Sequence, residues 1–171
     1  VLSADPESTS LTLVTTCLSA AAGGVSAFLM SYVLFKNYDL TMFLNGILGG
    51  LVGITAGANV MSPDAAIVIG MIAGVLIVLA VTLLEKLKLD DPVGAVPVHL
   101  VCGTWGTLAV GIFGSKASWD QFFIQVGGIA VIGVFCLICS YLILITLKKT
   151  IGIRVSREEE IEELDAAEHG M

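Results

Sequence analysis

Ala65-Ala-Ile-Val-Ile-Gly-Met-Ile-Ala-Gly-Val-Leu-Ile-Val-Leu-Ala-Val-Thr-Leu-Leu84 is a run of twenty residues with no Lys, Arg, Asp, Glu or Pro. As a helix it extends about 30 Å, the thickness of a bilayer's hydrocarbon core. Four further stretches read the same way: 11–35, 40–60, 93–113 and 122–147. None of the five contains Lys, Arg, Asp or Glu. The links at 36–39, 61–64, 85–92 and 114–121 are short and polar, so neighbouring spans run antiparallel. The fold expected is an all-α polytopic membrane bundle. It has a polar arm over 1–10, a five-helix transmembrane region over 11–149 and a tail over 150–171.

Composition excludes the soluble classes. The chain has 171 residues, 56% hydrophobic and 13% charged, against about 25% charged in a soluble domain. The net charge of −7 is concentrated in Glu158, Glu159, Glu160, Glu162, Glu163, Asp165 and Glu168. It therefore describes the tail and not a nucleic-acid surface. Seven of the eight basic residues fall in the first link, the third link and the stretch after the fifth span (148–157), and only Lys116 lies on the other side. By the positive-inside rule the amino terminus is outside and the carboxyl terminus cytoplasmic.

Small residues recur every fourth position: Gly49, Gly53 and Gly57; Gly70 and Gly74; Ser19 and Gly23. That spacing lets helix backbones meet and needs no function to explain it. Asp90-Asp91-Pro92 opens the fourth span as a helix start, with a carboxylate cap and Pro in the first turn. Cys17, Cys102, Cys136 and Cys139 all fall in apolar stretches, where small buried thiols are expected. The aromatics Trp105, Phe113, Trp119, Phe122 and Phe123 fall at the outer end of the last two spans, as an interfacial belt would. Ser156-Arg157-Glu158-Glu159 reads as a capping box, so the tail is either a short helix against a partner or a solvated acidic segment.

His99 is the ionisable residue placed within a span. It lies about 10 Å along the fourth span from Val93, at a depth where ionisable groups usually face a bundle interior or a cavity. Imidazole there can donate, accept and shuttle protons; equally, it can be a neutral ring bonded to a neighbouring helix. Pro97, two residues earlier, removes a backbone donor and presses on the carbonyl of Val93. Asn45 and Thr55 are ten residues apart in the second span and are expected near one face, lining a cavity or bonding a neighbour. No metal or cofactor site is expected, since no phosphate loop, dinucleotide fingerprint, zinc spacing or serine nucleophile motif is present. With no acidic or Cys partner for His99 inside the spans, an enzyme is not expected.

Three stretches together resemble the ammonium transporter (Amt/Mep/Rh) family: 44–57 (LNGILGGLVGITAG), 90–106 (DDPVGAVPVHLVCGTWG) and 152–170, which begins Gly-Ile-Arg-Val. The resemblance covers essentially the whole chain and maps it onto the last five of the family's eleven helices, the second half of an inverted repeat. It implies a homotrimer in the plasma membrane, each subunit with a narrow hydrophobic pore that passes ammonium or ammonia. His99 matches the second of two pore histidines, Thr55 the threonine beside the pore, and Asp90 and Asp91 the helix cap at its mouth. Gly152, Arg154, Glu159, Asp165, His169 and Gly170 match the cytoplasmic tail that couples subunits and meets PII-type regulators. The expected chain is a fragment of a longer transporter or half of a split one. The alternative is the ammonium-sensing membrane module of a signalling protein.

Overall fold

The computed structural model describes residues 5–155 and 157. Among them every regular element is helical: α1 (Pro6–Phe35), α2 (Leu40–Thr55), α3 (Pro63–Lys86), a π-helical turn π1 (Val96–Val101), α4 (Cys102–Ile112) and α5 (Trp119–Thr150). The chain divides into two compact units, 1–129 and 130–171, with α5 running through the division. The first holds the packed core.

Each helix start follows from a local signal. Asp5, Asp39 and Ser62 precede α1, α2 and α3 and accept hydrogen bonds from the N–H groups of Ser8, Met42 and Ala65, satisfying donors that a helix leaves open. Pro6 and Pro63 occupy the first turn of α1 and α3, where the missing N–H costs nothing. Asp5-Pro6-Glu7 therefore carries α1 back into the segment expected to be a polar arm. Hydropathy shows where a helix enters lipid, whereas capping chemistry shows where it starts.

α1, α3 and α5 are long and apolar enough to cross a membrane, while α2 and the π1–α4 segment are shorter. The second span was expected over 40–60, but α2 stops at Thr55, an extent of about 24 Å. Beyond it Gly57 and Val60 close turns onto the carbonyls of Ile54 and Gly57. This irregular backbone is buried at Gly57, Ala58 and Met61. It is bonded from outside: the Thr15 hydroxyl donates to the Ala58 carbonyl at 2.8 Å, and the Ser115 N–H donates to the Val60 carbonyl at 3.0 Å. Non-helical backbone in an apolar setting survives where the surrounding protein satisfies it, and α1 and the 113–118 link do so here.

α1 packs against both α2 and α3, and the small residues make the contact. A Cβ on Gly23 would meet the carbonyl oxygen of Gly46, and one on Gly50 or Gly70 would meet that of Ser19. The Ser19 hydroxyl donates to the Gly50 carbonyl at 2.7 Å, and Ser26 donates to Met71 O at 2.9 Å. Gly53 and Gly106 bring α2 and α4 together in the same way. Two apolar clusters fill the remaining space, one around Ile77, Val78, Val98 and Cys102, the other around Ile54, Ile69, Ala109 and Val110.

α5 contributes no buried residue. Of the four thiols expected to be buried, only Cys102 is; Cys17 and Cys136 are exposed and Cys139 intermediate. An apolar residue of a lipid-facing helix has no need of a protein partner, so an apolar surrounding sequence did not imply burial in the chain. Trp105 likewise leaves the expected aromatic belt. Its indole donates to the Ile69 carbonyl at 3.1 Å and packs on both core clusters.

Candidate functional site

Where the α1–α2 link, the end of α3 and the segment before π1 meet, the first unit opens a cleft of about 380 Å³. Its rim carries four carboxylates, Asp39, Glu85, Asp90 and Asp91.

Asp91 fixes the backbone that leads into π1. Its Oδ1 accepts from the Ala95 N–H at 2.9 Å and its Oδ2 from the Val96 N–H at 2.8 Å. One side chain thus caps the helix across the intervening turn. That turn needs Gly94 at φ +74, a left-handed conformation that glycine adopts without strain. The helix consequently starts later than Asp90-Asp91-Pro92 suggested. Asp91 is the residue that caps it, and Asp90 is an exposed rim carboxylate with no such bond. The reason is geometric: Pro92 opens a turn here instead of a first helical turn, and the cap reaches over it.

Pro97 follows, buried in the floor of the cleft. With no N–H it cannot close a helical bond to the Val93 carbonyl. The ladder then widens: the Cys102 N–H is shared between the carbonyls of His99 and Pro97. Such π turns add a residue to one turn and often accompany functional positions. This one places Pro97 and Val98 inward and His99 and Leu100 outward.

His99 is therefore exposed on the surface of this bundle, and among the described residues no hydrogen bond reaches its ring. Asn45 is buried, 8% exposed, and its amide lies against Gly94, where a Cβ would sit 2.7 Å from Nδ2. Thr55 is exposed and donates back to the Leu51 carbonyl of its own helix at 2.7 Å. The two do not share a face as expected. Ten residues leave them about 80° short of three full turns, enough to put one in the core and the other outside it.

At the other end of α5, Gly152 adopts φ +79, and its N–H, with that of Ile151, bonds the Leu147 carbonyl. Gly152 therefore ends the helix. Arg154, exposed, lines an open recess with Lys148 and Ile153. Glu159, Asp165, His169 and Gly170, and with them Ser156 and Glu158 of the capping box, lie outside the described residues.

The cleft residues Asp39 and Glu85 were not singled out by sequence reasoning. Asp39 and Glu85 could have been, as link carboxylates at the same end of antiparallel spans. The positive φ of Gly94 had no local signature beyond its being glycine after Pro-Val.

A helical bundle with membrane-length apolar segments, meeting through glycine and serine, is a polytopic integral membrane protein. The Ammonium Transporter Family model matches residues 1–171, and the chain belongs to that family. A protein of Synechocystis named as an ammonium transporter is 43% identical over 95% of this chain and 37% of its own length. The ammonium transporter Amt2 of Archaeoglobus fulgidus is 38% identical over 98% of this chain and 40% of its own length. A solved structure described as a sensor Amt protein superposes with a TM-score of 0.88 at 36% identity, over 98% of this chain and 43% of that one. The chain spans about two fifths of the length of the curated relatives it matches, as expected of a C-terminal part.

Proposed function

We propose that this chain forms one wall of a transmembrane path for ammonium or ammonia, with His99 as its proton-handling group. The observation that carries this is the exposed, unbonded imidazole of His99 on the π turn whose buried Pro97 floors the acidic cleft. A charged ammonium ion pays heavily to enter an apolar passage, whereas ammonia crosses far more cheaply. An imidazole facing the path is suited to take up or return the proton that separates them. Asp91 holds the π turn, and so His99, in place. Thr55 and Asn45 are assigned to the wall and its mouth.

The same reading gives the chain five passes through the plasma membrane, α2 and π1–α4 being completed by the irregular backbone at their ends. The amino terminus lies outside and the tail in the cytoplasm, as the basic residues favour. The assembly is a homotrimer, and the tail from Gly152 meets a PII-type regulator.

The test is His99→Ala in the protein at the length the cell makes it. Methylammonium uptake into proteoliposomes should fall on the order of 100-fold, the low end of what a positioned proton-transfer group contributes, with assembly unchanged. Wild-type uptake would refute the assignment. The likeness to a sensor Amt protein favours a second reading, in which the module binds ammonium and signals. Binding without flux in the same vesicles would select it.

A further inference from the structure

We infer that the cleft between the α1–α2 and α3–π1 links is a binding site for a primary ammonium cation, held by the Asn45 amide oxygen inside a rim of carboxylates. The inference rests on the transport reading and deepens it, by adding a holding position at the mouth of the path.

Two independent observations meet there. The first is charge. Asp39, Glu85, Asp90 and Asp91 line the cleft, and among the described residues no Lys, Arg or His does. A concave site lined by one sign of charge concentrates the opposite ion. The second is Asn45. It is 8% exposed, and among the described residues no hydrogen bond reaches its amide. Among the described residues no fully enclosed side-chain polar atom goes unbonded, so the amide keeps access to the cleft it lines. A buried amide is costly unless something satisfies it. Glycine at 94 leaves the space, since a Cβ there would strike Nδ2.

The chemistry of the occupant follows from spacing. Among the described residues no three His, Cys, Asp or Glu converge as metal ligands, so the rim does not form a cage for a divalent ion. The cleft, at about 380 Å³, is far larger than the ~30 Å³ share of one water. A monovalent cation can therefore enter with part of its hydration shell. A primary ammonium has N–H donors to spare: one serves the Asn45 oxygen, an acceptor with two lone pairs, and the others serve water. The carboxylates act at a distance and Asn45 acts by contact.

The experiment is a titration of the protein, in lipid nanodiscs and at the length the cell makes it, with methylammonium chloride, following the Asn45 side-chain amide resonance. A saturable shift is expected with methylammonium and none with tetramethylammonium, which lacks N–H donors. A linear response, or equal responses to the two salts, overturns the inference. Asn45→Ala should weaken methylammonium binding by about tenfold, the scale of one hydrogen bond to a charged donor. Should that variant fail to fold, the double change Glu85→Gln with Asp90→Asn, at exposed positions, keeps the test: weaker binding is expected, and unchanged binding overturns the role of the rim. Methylammonium uptake by the same preparation separates the two readings. Uptake without a saturable shift removes the site and leaves transport standing, and a saturable shift without uptake does the reverse.

Discussion

Asp90 and Asp91 are adjacent, identical in chemistry and different in role. Asp91 closes two open N–H groups at the start of π1, while Asp90 stands on the rim. Asp91→Ala should lower stability by about 1 kcal/mol, the usual loss for a helix cap. Asp90→Ala should stay within about 0.5 kcal/mol, as for a surface change. Thermal unfolding of both variants in one detergent checks the pair, and equal losses would show that the cap is shared. At this scale the sequence marked residues by their cost in apolar surroundings and was poor about how each is placed. His99 stood out because an ionisable side chain in an apolar stretch is costly. Asn45 and Thr55 stood out as polar in apolar surroundings, yet their orientation depends on a rotation of about 100° per residue, which counting turns loosely does not resolve. The division of labour between Asp90 and Asp91 hangs on a left-handed Gly94 that nothing in its neighbours announces.

Among the elements, α1, α2 and α3 meet through backbone atoms. A methyl group on Gly50 would be driven into the Ser19 carbonyl, and a carbonyl bonded within a helix has little room to yield. Gly50→Ala should therefore destabilise by about 1–3 kcal/mol of overpacking, more than the roughly 0.5–1 kcal/mol that alanine gains over glycine within a helix. Gly128, in α5, has nothing within 4 Å of the same position, and Gly128→Ala should gain that helical increment. Opposite signs in detergent unfolding are expected, and a loss at both would mean that α5 is covered by another surface. The repeat of small residues made the close packing legible. It did not tell which glycines are in contact, because Gly127, Gly128 and Gly133 look alike in sequence and face open space. The early end of α2 was hidden for a related reason: apolar character continues through 56–60, and hydropathy is blind to whether the backbone is helical.

At the scale of the whole chain, membrane character and helical class were plain from apolar runs, since no soluble domain could bury them. Orientation came from the basic residues alone, and it makes a prediction. In a background where the four native cysteines are replaced, Lys88→Cys should react with a membrane-impermeant maleimide only from the cytoplasmic face, and Ser118→Cys only from outside. Labelling on the reversed faces would invert the proposed topology, and labelling of both from one face would break the antiparallel order of π1–α4. The acidic cleft would then be reassigned to the opposite compartment together with its links.

The meshing of α1 with its two neighbours also sets the mechanics. Carbonyls of Ser19 and Gly23 sit in notches left by Gly50, Gly70 and Gly74, so sliding one helix by a turn would ram an oxygen against a side chain before reaching the next notch. Three such helices behave as a ratchet jammed in gear. Whatever moves elsewhere in the molecule, these three helices move as one body.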